Sequence, residues 1–173
     1  MSIMKTLQRS QSGIVLLEAL IGILIFSLGI LSMVALGATA ATVQADAQYR
    51  TEAMNLAERV LSQIWTGVDR TQQTINGVVM SMVSASSLTD FQHFSDGDNC
   101  VFTGSASTNP AIVDWVATLQ PTGKPSPLPG STGKQQIRVN TAVNNQVSIT
   151  ICWQAPSDNK LRHYTLVLSL IHI

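Results

Sequence analysis

Residues 11–23 read QSGIVLLEALIGI, and the fold turns on this stretch. It opens an apolar run from Ile14 to Gly37 that only Glu18, Ser27 and Ser32 interrupt among polar types. As a helix rising 1.5 Å per residue, the run spans roughly 36 Å, enough for a bilayer core of about 30 Å. Glu18 is the anomaly. A carboxylate at the centre of a membrane helix costs a few kcal/mol and less near one end, where it can snorkel to the interface. Insertion alone therefore gives Glu18 no task.

The preceding residues, MSIMKTLQRSQSG (1–13), contain Lys5 and Arg9 and no acid. Basic residues flanking an apolar helix hold their side in the cytoplasm, so the chain beyond about Val43 is expected on the exported side. An ordinary secretory signal is a competing reading, with Ala38-Thr39-Ala40 as its small-residue cleavage site. Its apolar core would, however, be only about 7 to 15 residues long and uncharged.

The basic leader, Gly13, the apolar residues 14–17 and a glutamate five positions after the glycine together resemble the class III signal of type IV prepilins. The resemblance implies that prepilin peptidase cuts between Gly13 and Ile14 and methylates the new amine at Ile14. It also implies that Glu18 is an assembly residue, meeting the Ile14 amine of a neighbouring subunit. Two opposite charges in low dielectric offset one another's desolvation and favour one axial register. Many family members have Phe then Thr where this chain has Ile14 and Val15, and major pilins commonly kink the following helix with proline. Here no proline occurs before Pro110.

The run from Ile14 to Trp65 is rich in Ala, Leu, Met, Gln and Glu and reads as one long helix assigned to 14–66. Its outer half places Ala57, Val60, Leu61 and Ile64 on one face, with Asp46 and Arg50 as an i,i+4 ion pair. Gly67 is expected to end it as a left-handed C′ residue. Gly22, Gly29 and Gly37 recur near one face, where close helix packing or local melting in a filament core would use them.

From Asn76 onward, Ser, Thr, Asn, Gly and β-branched residues dominate, predicting strand and loop. Asn109-Pro110 followed by AIVDWVATLQ gives an N-cap, a proline at N1 and about three helical turns. Residues 121–134 hold four prolines and three glycines and must be a loop. Strands are expected at Gln135–Thr141, Gln146–Trp153 and His163–Leu168, with turns at Asn144-Asn145 and Pro156–Asn159. In the middle one, Val147, Ile149, Ile151 and Trp153 share a face that a small antiparallel sheet can lay on the long helix. The fold class is thus α+β and pilin-like, with exported residues 67–173 following the helix. The closing LSLIHI (168–173) looks like an adapter read-through from DNA library preparation, so the natural sequence is expected to be truncated near Val167.

Cys100 and Cys152 both fall on the exported side, where an even count favours a disulfide. Asp90, His93, Asp96 and Asp98 crowd TDFQHFSDGDN, but Gly97 between the aspartates and the missing terminal glutamate break the calcium-loop order. That run is read as a solvated turn, and no metal or other cofactor is expected. No nucleophile–base spacing, phosphate loop or zinc pattern points to an enzyme. Ten Lys+Arg balance ten Asp+Glu, and no basic run interleaves with aromatics, so nucleic acid is not an expected partner.

Beyond the signal, LGILSMVALGATAATVQADAQYRTEAMNLAERVLSQI and the Cys152-Trp153 pair resemble PilV-type minor pilins, or pilus modification proteins. The resemblance implies a low-abundance subunit that helps to prime type IV pilus assembly. Its partners would be prepilin peptidase, other minor and major pilins, the inner-membrane pilus assembly platform and membrane lipid. It would reside in the inner membrane with a periplasmic C-terminus, then in the filament. A type II secretion pseudopilin would share the signal, and a single-pass anchor carrying a periplasmic binding domain is the alternative of another class.

Overall fold

The computed structural model describes residues 12–121, 123–156 and 159–170. In chain order come α1 (Ser12–Gly67), β1 (Arg70–Ile75), β2 (Val78–Val83), α2 (Ala85–Thr89), α3 (Pro110–Leu119), β3 (Gln135–Asn140), β4 (Gln146–Trp153) and β5 (Arg162–Ser169). The chain divides inside α1 into Met1–Gln44 and Ala45–Ile173. The expected leader, 1–13, lies outside the described residues except at its last two positions, and the final 171–173 lie outside them too.

In the first unit α1 is apolar on every side. Its richest 18-residue window has a mean hydropathy of 2.7 and buries nothing within the chain. By length and composition this helix is able to cross a membrane. The helix runs unbroken through Gly22, Gly29 and Gly37, and a Cβ added at any of them would meet nothing within 4 Å. No packing inside the chain accounts for these glycines.

In the second unit α1 becomes one-sided. Ala53, Leu56, Ala57, Val60 and Ile64 are buried, extending the expected stripe by a turn, while Leu61 lies at its margin. They join a core with Ile112, Trp115 and Leu119 of α3, Ile137 and Val139 of β3, and Val147, Ile149, Ile151 and Trp153 of β4. The α+β class therefore holds: the long helix packs on a small antiparallel sheet, the arrangement expected of a pilin. Trp115 fixes α3 to α1 by donating its Nε1–H to the Leu56 carbonyl at 2.9 Å.

The sheet order is β3-β4-β5, all antiparallel, with Ile149 paired between Ile137 and Leu166. β4, the central strand, buries Val147, Ile149, Ile151 and Trp153, the face its alternation predicted. Asn144 and Asn145, with φ of 51° and 49°, supply the left-handed turn before β4. The other expected turn, Pro156–Asn159, falls partly outside the described residues. At the end of β5, Leu168 and Ser169 continue the pairing with Val147 and Gln146, and Leu170 is buried.

Three readings need correction. Gly67 remains helical and its φ is not left-handed; Val68 N–H still reaches the Ile64 carbonyl at 2.9 Å. Its bare Cα serves packing instead, since a Cβ there would stand 3.1 Å from Phe91 Cζ. Asp46 does not pair along the helix with Arg50; its Oδ2 meets Arg162 Nη1 at 2.6 Å, tying α1 to β5. Strand structure begins at Arg70, not Asn76, because Asn76-Gly77, at φ 53° and 78°, forms the turn of a β1–β2 hairpin.

Truncating the central strand tests this packing. Ile149→Ala should cost about 2–5 kcal/mol in denaturant unfolding of the detergent-solubilised chain. Val113→Ala, on the half-exposed side of α3, should stay within about 0.5 kcal/mol.

Candidate functional site

The apolar half of α1 handles its polar groups unequally. Ser27 Oγ donates to the Ile23 carbonyl at 2.7 Å and Ser32 Oγ to the Leu28 carbonyl at 2.8 Å. Both hydroxyls thus satisfy themselves on the preceding turn, as serine in an apolar helix must. Glu18 has no such recourse. An ionised carboxylate only accepts hydrogen bonds, and helix carbonyls offer it nothing. Its side chain is exposed, and no salt bridge to it occurs among the described residues. Ile14 and Glu18, four residues apart, lie on one helix face, and both are uncovered by the rest of the chain. Gly13, also helical, has open space where a side chain would stand.

The second constellation lies in the globular unit. Cys100 and Cys152 form a disulfide, with Cα atoms 5.8 Å apart and a sequence separation of 52. Cys152 belongs to the β4 face opposite the core side chains, together with Ser148 and Thr150. On that same face β3 presents Gln136 and Arg138. They hold the segment before Cys100 by its carbonyls. Gln136 Nε2 donates to Phe94 O at 2.8 Å and Asp96 O at 3.0 Å, and Arg138 Nε and Nη2 donate to Ser95 O and Gly97 O, each at 2.9 Å. The segment needs such holding because Phe94, Asn99 and Cys100 all take positive φ. Gly97 is required there, since at φ 83° a Cβ would overlap the Val101 carbonyl.

The acidic run is solvated at Asp90, Asp96 and Asp98, as expected, but not at His93. His93 is buried because its backbone pairs with Ile137 of β3 in both directions, at 3.0 and 2.9 Å. Its Nδ1 accepts the Ser107 N–H at 3.1 Å and is not free to ligate beside Asp90, Asp96 or Asp98. Asp98 reaches Arg138 at 3.6 Å from an exposed position, where an ion pair contributes little. Among the described residues no three His, Cys, Asp or Glu side chains converge as a metal site would require. A shallow polar groove beside the disulfide is lined by Asp98, Asn99, Phe102, Thr150, His163 and Thr165.

Sequence reasoning paired Cys100 with Cys152 but missed the carbonyl cage and the burial of His93. The cage had a signal: in QQIRVN, Gln136 and Arg138 alternate with Ile137 and Val139, so they must face away from the core. His93 had none, since its burial follows from a bridge to a strand more than forty residues away. Comparison with family models, curated proteins and solved structures finds no match.

Opening the disulfide should loosen the caged segment. Cys100→Ser with Cys152→Ser should lower unfolding stability by about 4 kcal/mol in the chain-entropy account. Limited proteolysis should then cut first between 94 and 108, with β4 protected longest.

Proposed function

We propose that this chain is a minor pilin that helps to prime type IV pilus assembly. Prepilin peptidase removes residues 1–13, and the new Ile14 amine is methylated. The protein then waits in the inner membrane, its globular unit periplasmic, and joins other minor and major pilins at the assembly platform. The observation that carries this reading is Glu18: a carboxylate that its own helix cannot satisfy, one turn from Ile14, on a helix that the folded chain leaves uncovered.

The reading gives these features one purpose. A helix apolar on all sides needs apolar neighbours, which lipid supplies before assembly and other helices supply after it. Cleavage at Gly13 creates a cation on the Glu18 face of each subunit. Between neighbouring helices that cation and a carboxylate pair only in the correct axial register, because any other register leaves both charges buried and alone. Gly22, Gly29 and Gly37, where an added Cβ would meet nothing within 4 Å among the described residues, are then available for close approach between helices.

Glu18→Val separates assembly from anchoring. Insertion should be unchanged or slightly better, and cleavage after Gly13 should persist. An unpaired buried charge is worth several kcal/mol against the correct register, and each 1.4 kcal/mol is about tenfold. Sheared filaments should therefore lose the variant by orders of magnitude while processed protein accumulates in the inner membrane. Normal incorporation of the variant would contradict an assembly role for Glu18. Gly13→Val should leave the leader attached, and mass analysis of filaments or of a secretion pseudopilus identifies which assembly holds the wild-type chain.

A further inference from the structure

His93 joins three segments through one imidazole. Its backbone is bonded to Ile137 of β3, its ring lies 4.2 Å from the Phe94 ring, and its Nδ1 accepts the Ser107 N–H at 3.1 Å. Accepting requires a lone pair on Nδ1, so the imidazole is neutral with its proton on Nε2. Ser107 passes the constraint on. Its hydroxyl donates to the Asp90 carbonyl at 3.2 Å and accepts the Asn109 N–H at 3.3 Å. Asn109 in turn caps α3, its Oδ1 accepting the Ala111 N–H at 3.0 Å. One link between the start of α3 and β3 thus runs through a single nitrogen lone pair.

We propose that His93 is an acid-sensitive latch, which in its neutral form holds the strap Ala106–Asn109 against the globular unit and in its cationic form releases it. A proton on Nδ1 turns the acceptor into a donor that faces another donor, Ser107 N–H, and that bond breaks. The cation also sits almost without solvent, the residue being 4% exposed. No neighbour compensates. The charged groups on the adjoining elements are Asp90 after α2, Asp96 and Asp98 in the caged segment, Arg138 on β3 and Asp114 on α3, and none forms an ion pair with His93. Arg138 belongs to the β3 face opposite Ile137. The break is local, because Phe94 N–H keeps its bond to the Ser105 carbonyl at 3.0 Å and the disulfide is unaffected.

Burial lowers the His93 pKa from its ordinary 6.5. The open form, freed from that burial, takes up its proton at the higher value. The neutral latch is therefore fully present above pH 6.5 and is lost as pH falls from there through the lowered value.

Hydrogen–deuterium exchange on the full chain in detergent micelles tests the latch, at about pH 7.5 and about pH 4.5, corrected for intrinsic exchange. Peptides covering Ala106–Asn109 should lose protection severalfold in acid, while β4 peptides hold theirs. His93→Phe keeps the ring volume without the acceptor, and its strap should exchange fast at both pH values. Equal protection of the wild-type strap at both pH values overturns the proposal, as does the same acid response in His93→Phe. Should that variant not accumulate, ¹⁵N shifts of the wild-type imidazole decide. A proton on Nε2 at neutral pH with titration below the ordinary value supports the latch, and a proton on Nδ1 or titration at or above that value overturns it.

Discussion

The core that the buried stripe of α1 shares with the inner face of β4 is the constraint on which the globular unit depends. Ala53, Ala57, Val60 and Ile64 are buried completely, in one core with Ile149 and Ile151. A three-stranded sheet of this size cannot bury both faces, and it does not need to. One face takes the helix, and much of the other carries the segment that Gln136, Arg138 and the disulfide hold down. Trp115 closes the core at the side, its indole N–H spent on an α1 carbonyl.

The same helix obeys a different rule before Gln44. There the apolar side chains point all ways, and the serine hydroxyls bond back to their own turn. A helix so constituted asks only for apolar surroundings, and Glu18 is the exception. The exception matters because removing it would make insertion easier, so the economy of the helix itself does not explain its presence. On the proposed reading a partner cation does, and Gly13 stands where processing would generate one on the same face.

Where the sequence carried a period, it was legible. The β4 alternation, the Asn109 cap with Pro110 at N1, and the α1 stripe each express a local rule that tertiary structure reinforces. Legibility failed where a residue answered to something distant. Gly67 looked like a left-handed stop but is bare to admit Phe91. Asp46 had a helical partner at the right spacing in Arg50, yet bonds to Arg162 on β5, more than a hundred residues on. The β1–β2 hairpin is a different failure. Asn76-Gly77 is a strong turn signal, and it was read as the start of the strand region when it was the centre of a hairpin.

The central claim is that a peptidase acting on the cytoplasmic side makes the charge that Glu18 awaits. Intact-mass and N-terminal analysis of the protein recovered from inner membranes, with and without an active prepilin peptidase, tests it most directly. The account predicts a chain beginning at Ile14 with a methylated amine when the enzyme is present, and an uncut chain when it is absent. A mature protein beginning after Ala40, or one that keeps its leader beside an active peptidase, would contradict it.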